Sequence, residues 1–241
     1  MRRLIIAFAF VAPVLLLATW RHSPWLAIGI LALSHALLLY PTLRPNVQWL
    51  GPVITRFATE AKEVWLTIDD GPTDDTPAIL DLLDARGAKA TFFVKGVLAE
   101  QHPERMGEIV ARGHSVANHS RTHPAGTFWC LPPSRLAEEI DGCRVAGPWF
   151  RAPVGMKNPF VHPLLARRGL RLIGWTVRGF DSIVDDASRV AGRIVPRVSP
   201  GAIVVMHQGR SWSVGTIGRV VDELQQRGYA FVIPNDTQLK T

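Results

Sequence analysis

The chain reads as an α/β protein: a distorted (β/α) barrel of about seven strands, preceded by an N-terminal two-helix transmembrane hairpin. Three observations predict this. From Val64 onward, short β-branched or apolar runs alternate with segments of helical period, the pattern of a mostly parallel sheet. Four helical segments end in Arg-Gly, at Arg86-Gly87, Arg112-Gly113, Arg168-Gly169 and Arg227-Gly228. A cation suits the last turn of a helix, and Gly takes the left-handed position after it. Two apolar runs stand ahead of this repeat, at residues 4–20 and 25–40. About seven strands over roughly 180 residues fit a compact, distorted barrel better than a full eight-fold one. An open doubly wound sheet is the alternative, and in both the ligand sits at the carboxyl ends of the strands.

The hairpin comes first, over residues 1–40. Each apolar run is slightly short of the roughly 20 residues that cross a bilayer core. Trp20, Trp25 and Tyr40 mark run ends, as interfacial aromatics do. Met1-Arg2-Arg3 before an apolar run also resembles a signal peptide, but no small-x-small site follows and a second run comes at once. The chain is therefore expected to be an integral membrane protein of the bacterial inner-membrane type. Arg2 and Arg3 precede the first run, Arg21 alone lies between the runs, and Arg44, Arg56 and Lys62 follow. The positive-inside rule then places both ends and the following domain in the cytoplasm. Residues 41–61, with Pro41, Pro45 and Pro52, read as a linker, and residues 62–241 as the catalytic domain.

The formal net charge is +7, from 27 Lys and Arg against 20 Asp and Glu. The basic residues are scattered, so a membrane surface accounts for the charge better than nucleic acid does. No glycine fingerprint or P-loop follows the first strand, so no nucleotide is expected. Cys130 and Cys143 have neither CxxC nor zinc-ribbon spacing.

The expected strands are the run from Val64, then residues 90–94, 114–117, 149–151, 170–177, 202–206 and 229–233. Pro77 after Thr76 marks a helix start, and Ile217, Val220, Val221 and Leu224 give the i, i+3, i+4, i+7 spacing of a core-facing helix. Reactive residue types cluster where these strands end. Asp69 and Asp70 close the first, within Leu66-Thr67-Ile68-Asp69-Asp70-Gly71-Pro72. His119 and His123 follow the third, Arg151 the fourth, Asp181 the fifth and His207 the sixth. The two histidines are four apart, so a helical turn would put both imidazoles on one face. One carboxylate added to them makes three protein ligands with positions left open, as in a catalytic metal site. Trp149 is among the aromatics near this rim that are placed to stack on a sugar face.

These residues resemble the polysaccharide deacetylases with the NodB-homology domain. Five segments follow the family's order across about residues 64–233: LTIDDGP, HSRTH, RAPVG, the WTVRGFD region and VMH. The resemblance implies a distorted (β/α) barrel and hydrolysis of the N-acetyl or N-formyl group of an amino sugar in a glycan. The hairpin adds a lipid-linked sugar, since a tethered enzyme facing the cytoplasm suits a substrate that is itself at the membrane. The resemblance casts Asp69 as general base, and Asp70, His119 and His123 as ligands of a divalent metal. It casts Arg151 as the partner that keeps Asp69 ionised, His207 as general acid and Asp181 as the group that tunes it. The backbone N–H of Val154 matches an oxyanion contact, and Val205 the apolar wall around the acetyl methyl. Zinc is the default metal for such a ligand set, while cobalt, nickel and other transition metals also suit imidazole and carboxylate. Departures from the family pattern, Val154 for a common Tyr and Ser182 for a usual Trp, bear on the substrate rather than the reaction. Because fold alone does not set a reaction, a non-carbohydrate amidohydrolase or an inactive binding protein on the same scaffold is the alternative.

Overall fold

The computed structural model of the chain describes residues 1–239. Helices α1 (Arg2–Thr19) and α2 (Pro24–Leu43) pack against each other, and both are long and apolar enough to cross a membrane. Ala12, Ala27 and Ser34 are buried in this pair, small side chains that let two helices approach closely. The outer faces are apolar and exposed, Phe10 and Trp25 strongly so.

The rest alternates strands and helices: β1 (Glu63–Gly71), α3 (Thr76–Ala85), β2 (Ala90–Val94), α4 (Gly96–Gln101), α5 (Pro103–Ala111), β3 (Ser115–Asn118), α6 (Pro133–Asp141) and β4 (Trp149–Phe150). Then come α7 (Val161–Ala166), β5 (Arg171–Leu172), β6 (Val177–Arg178), α8 (Ala187–Ile194), β7 (Ala202–His207), α9 (Ser213–Gln226) and β8 (Ala230–Phe231). The sheet order is β5-β4-β3-β2-β1-β7-β6, with β8 beside the start of β1, and every strand pair is parallel.

That order decides between the two expected architectures. Strands β5 and β6 lie at opposite ends of it, yet residues 172 and 177 are five apart. Five extended residues reach about 17 Å. Six strand spacings in a flat sheet span about 29 Å. The sheet therefore curls until its edges face each other, a distorted barrel. The single strand expected over residues 170–177 is in fact two. Gly174 marks the break, where an added Cβ would lie 2.6 Å from Asn46 Oδ1 and 2.9 Å from Val53 Cγ1.

The facing edges are joined by part of the segment read as a linker. Ile54 N–H donates to the Leu172 carbonyl (2.9 Å), and Gly174 N–H to the Ile54 carbonyl (2.7 Å). Phe57 N–H donates to the Gly201 carbonyl (2.9 Å), and Thr176 Oγ1 donates to the Thr55 carbonyl. Residues 53–57 thus lie along the seam, with Val53 and Ile54 fully buried.

Side chains of β1 alternate between two cores, as the pleat requires. Val64, Leu66 and Ile68 face the helices with Ile217, Val220, Val221 and Leu224 of α9. Trp65 faces the barrel interior with Phe93, Trp149, Trp175 and Val205. The glycine of each Arg-Gly pair has positive φ, between 57° and 81°. The arginines do more than face a helix end. Arg86 pairs with Asp222 of α9 (2.6 Å), Arg112 with Asp81 of α3 (2.6 Å), and Arg168 with Asp141 of α6.

The seam makes a prediction. Gly201 has φ +77°, and a Cβ there would lie 2.1 Å from the Phe57 carbonyl oxygen. Gly201→Ala is expected to lower the unfolding midpoint, costing more than ~1 kcal/mol, because backbone must shift. Gly107→Ala, in α5 with open space around it, is expected to be neutral or stabilising by up to ~1 kcal/mol. Thermal unfolding of both variants in detergent checks this.

Candidate active site

Two adjacent aspartates on a regular strand point to opposite faces. Here a bulge brings both to one rim. Asp69 pairs with Phe93 and Gly71 with Val94, so Asp70 is the extra residue, with φ +78°. Bulges beside active sites re-aim side chains in this way. Asp69, buried, points into the barrel, while Asp70 turns to its mouth.

Asp69 meets a buried cation. Arg151 Nη1 donates to Asp69 Oδ1 at 2.6 Å and to Thr67 Oγ1 at 2.8 Å, and Nη2 donates to the Gly174 carbonyl at 2.9 Å. The guanidinium lies 4.1 Å from the ring centre of Phe93. Burial lowers its pKa, and the charge of Asp69 acts against that.

Asp70, His119 and His123 offer ligand-type atoms all within 4.8 Å of one another. The helical turn expected for the two histidines is absent. Residues 119–123 are a loop in which Ser120 (φ +65°) and His123 (φ +56°) are left-handed. His123 N–H donates to Ser120 Oγ (3.0 Å), and the loop still brings the two rings to 4.6 Å between centroids. His119 Nδ1 lies 2.9 Å from the Arg151 carbonyl, which only accepts, so Nδ1 carries the proton and Nε2 keeps its lone pair for the site.

The donor set fits a divalent metal. Burial pushes the pKa of His119 down and, with the charge of His119 nearby, that of His123 down to about 4, so both rings are neutral at pH 7, the ligating form. Burial works against the Asp70 carboxylate, but His119, Lys95, His123 and His207 together hold its pKa at about 2. Asp70 Oδ1 is buried and accepts no hydrogen bond from the described residues. The Lys95 ammonium lies 3.1 Å from it, out of hydrogen-bond alignment. A carbonyl-braced imidazole beside an unsatisfied carboxylate oxygen is what a metal ligand set needs.

Across the mouth, β7 ends on His207. Its Nδ1–H donates to Asp181 Oδ1 (3.0 Å) and its backbone N–H to Asp181 Oδ2 (2.6 Å). Burial alone would lower this pKa; the hydrogen bond and charge of Asp181, with the charges of Asp69 and Asp70, overcome it and raise it to about 9. Trp212 Nε1 donates to the Asp181 carbonyl (2.8 Å), and Gln208 Oε1 accepts from Thr76 Oγ1 (2.6 Å), so neighbouring loops brace the pair.

A cavity of about 230 Å3 joins these groups, lined by Asp69, Asp70, His119, His123, Val154, Val205 and His207. Arg151 and Asp181 stand directly behind it. Val154 has φ +49°, and its N–H has no partner among the described residues. Trp149 is not in the wall. It is buried edge-on against Trp65, and its Nε1 donates to Asp236 Oδ1 (3.1 Å), so it supports the barrel floor. The aromatics that do line the cavity are Trp175 and Phe180, joined by Arg178, Ile183 and Arg210. Phe180 directly precedes the strand-end Asp181, the one signal in the sequence that placed it here. Cys130 and Cys143 are both free thiols, one exposed and one buried.

The fold and this site define a hydrolase of carbon–nitrogen bonds other than peptide bonds. The sequence model described as polysaccharide deacetylase matches residues 57–173. A chitooligosaccharide deacetylase of a Bradyrhizobium species is 32% identical over 192 residues, covering 70% of this chain and 87% of the relative. A peptidoglycan-N-acetylglucosamine deacetylase of Bacillus cereus is 28% identical over 215 residues, covering 79% and 94%. The family 4 carbohydrate esterase from Streptomyces lividans, solved with acetate, superposes with a TM-score of 0.68 at 28% identity, covering 76% of this chain and 97% of that one. The chain belongs to the polysaccharide deacetylase family.

The His207–Asp181 pair makes a prediction. In the metal-free protein the His207 ring is expected to titrate with a midpoint near pH 9. The protonated ring therefore persists through pH 7 and is lost as pH rises through that midpoint. Asp181→Asn removes the opposing carboxylate charge, leaving burial dominant, and is expected to lower the midpoint by at least about one unit. Imidazole NMR titration of the two proteins measures it.

Proposed function

We propose that this protein is a membrane-anchored, metal-dependent N-deacetylase acting on an N-acetylated (or N-formylated) amino sugar. The carrying observation is the pairing of opposite charge states across one cavity: Asp69 held by Arg151 on one side, and His207 held by Asp181 on the other. A carboxylate base and a protonated acid facing each other are what amide hydrolysis requires. The relatives named for chitooligosaccharide and for peptidoglycan N-acetylglucosamine support a sugar-borne acetamide.

A divalent metal held by Asp70, His119 and His123 would acidify a water and polarise the amide carbonyl. The chain's own residues do the remainder. Asp69, ion-paired with Arg151, accepts the proton of the attacking water as its oxygen bonds to the carbonyl carbon. The free N–H of Val154 is placed for the developing oxyanion, a contact type worth roughly 3–4 kcal/mol. Val205 walls the acyl methyl. His207 donates its proton to the amide nitrogen, and the C–N bond breaks to release acetate or formate and the free amine.

The anchoring reading rests on the hairpin. Its outer faces are apolar and uncovered, and in lipid a helix satisfies its own backbone. Arg2 and Arg3 border the same cavity as Leu50 and Leu172, and Lys157 bonds the carbonyls of Arg44 and Pro45 (2.9 and 2.8 Å). Both ends of the hairpin therefore lie against the catalytic domain, with Arg21 at the far end, which agrees with the cytoplasmic side that the charge rule favours.

Asp70→Asn is expected to cost metal, read as a loss of bound zinc by elemental analysis, with deacetylation lost alongside. Asp69→Asn is expected to keep its metal while deacetylation of a soluble N-acetylglucosamine oligomer falls by about 10²–10⁴-fold. Equal metal loss in both variants would overturn this division of roles.

A further inference from the structure

The mouth of the cavity has a character that amide hydrolysis does not require. After α2, the exposed large apolar side chains among the described residues are Trp49, Val110, Val154, Phe160, Phe180 and Ile183. Three of these six, Val154, Phe180 and Ile183, line the active-site cavity, and Ile183 is 76% exposed. Exposed apolar groups gathered at one opening mark a ligand or membrane surface. A polymeric glycan would instead call for exposed indole platforms. Trp49 is the exposed tryptophan of this part of the chain, and it does not line the cavity.

Two cations stand among these apolar groups. Arg178 and Arg210 are exposed, line the cavity and have no carboxylate partner among the described residues. Arg178 is held in place by stacking, its guanidinium 4.2 Å from the ring centre of Phe180 and 5.5 Å from that of Trp175. A stacked, unpaired guanidinium is pre-organised for a phosphate. The mouth also lies against the exit of α2. A Cβ on Gly155 would come 2.5 Å from Pro45 Cβ and 2.6 Å from the Trp175 ring.

We propose that the amino sugar is delivered on a phosphate-linked lipid carrier, with Arg178 and Arg210 holding the phosphate and Phe180 and Ile183 taking the first apolar segment of the chain. This rests on the N-deacetylase reading and names its substrate class. The acetamide lies at Asp69 and His207, the anion at the rim, and the chain turns toward the bilayer that the hairpin enters.

The test uses the full chain, metal-loaded, in nanodiscs. The substrates are farnesyl-diphosphate-linked N-acetylglucosamine and a soluble N-acetylglucosamine tetramer. The wild type is expected to favour the lipid-linked substrate in kcat/KM by tenfold or more, and the preference is expected to shrink at high salt. Arg178→Gln combined with Arg210→Gln, and separately Ile183→Asp, are expected to cut that ratio by at least tenfold, with near-UV circular dichroism unchanged. A ratio that neither variant moves overturns the proposal. Turnover of the tetramer alone also overturns it, and leaves the N-deacetylase reading standing with a polymer as substrate. If the wild type turns over neither, the N-deacetylase reading fails. Calorimetric binding of the lipid-linked sugar to metal-free protein then decides: tenfold weaker binding in the double arginine variant supports the lipid-phosphate site, and equal binding overturns it.

Discussion

The guanidinium of Arg151 is buried in the barrel, and every arm of it is committed. It reaches Asp69 and Thr67 on β1 and the carbonyls of Ile173 and Gly174 beside the seam. Its backbone N–H donates to the Asn118 carbonyl (2.9 Å), and its own carbonyl braces His119. One residue just past the end of a two-residue strand thus joins Asp69, a metal-type ligand and the closure of the sheet. Breaking such a pair by removing one partner costs ~3–5 kcal/mol, because a buried charge is left uncompensated. The surrounding geometry therefore answers to this pair. The sheet must curl far enough to bring residues 173 and 174 beneath β1, and the pleat of β1 must aim both Thr67 and Asp69 inward.

The cavity holds opposite charge states within a small space. Burial alone favours the neutral form of His207, and Asp181, placed behind it and away from the cavity, acts against this. Arg151 stands behind Asp69 in the same way, spending its hydrogen bonds on Asp69, Thr67 and backbone carbonyls, while Asp181 accepts from the ring and backbone N–H of His207. Between these two pairs, His119 and His123 face the carboxylates of Asp69 and Asp70, yet burial outweighs these and leaves both rings neutral. One environment thus yields an anion, a cation and two neutral lone pairs, according to what each side chain finds on its far side.

The repeat and the chemistry were legible because they depend on residue type at strand ends. Arg-Gly pairs, Pro77 and the α9 spacing all report local structure; Pro77, α9 and the left-handed glycines appear as read, while the arginines stand at or just past the helix caps rather than in the last turn. Asp69, Asp70, His119, His123 and His207 reach one cavity because carboxyl ends of parallel strands share a rim. What escaped was set by long-range geometry. Gly174 is the one local sign of a split in residues 170–177, and its reason is long-range, since β5 and β6 separate because the sheet closes on itself. The bulge at Asp70 is visible only against β2. The histidine spacing suits a helix, yet side chains of Asn118 and Ser120 hold a loop that does the same work. Trp149 shares the inward pleat phase of Arg151, two residues on, but stands one repeat deeper, against Trp65 and the floor. Residues 53–57 lack periodicity because they bridge two edges rather than form a strand of their own.

That bridging matters most where the hairpin meets the site. Lys157 is fully buried, and burial lowers its pKa to about 8. Its Nζ is held by the carbonyls of Arg44 and Pro45, and its backbone N–H donates to the Thr42 carbonyl (3.1 Å). Three residues earlier stands Val154, whose strained backbone presents the unpartnered N–H. Gly155 between them lets Pro45 and Trp175 close in from either side. The loop that carries the oxyanion contact proposed for Val154 is therefore clamped between the end of α2 and an aromatic of the cavity wall. A left-handed Val costs roughly 1 kcal/mol or more on its own, so the clamp is what keeps that conformation populated. The last turn of α2 is then part of the active-site frame, and whatever fixes that helix also fixes the position of the Val154 N–H.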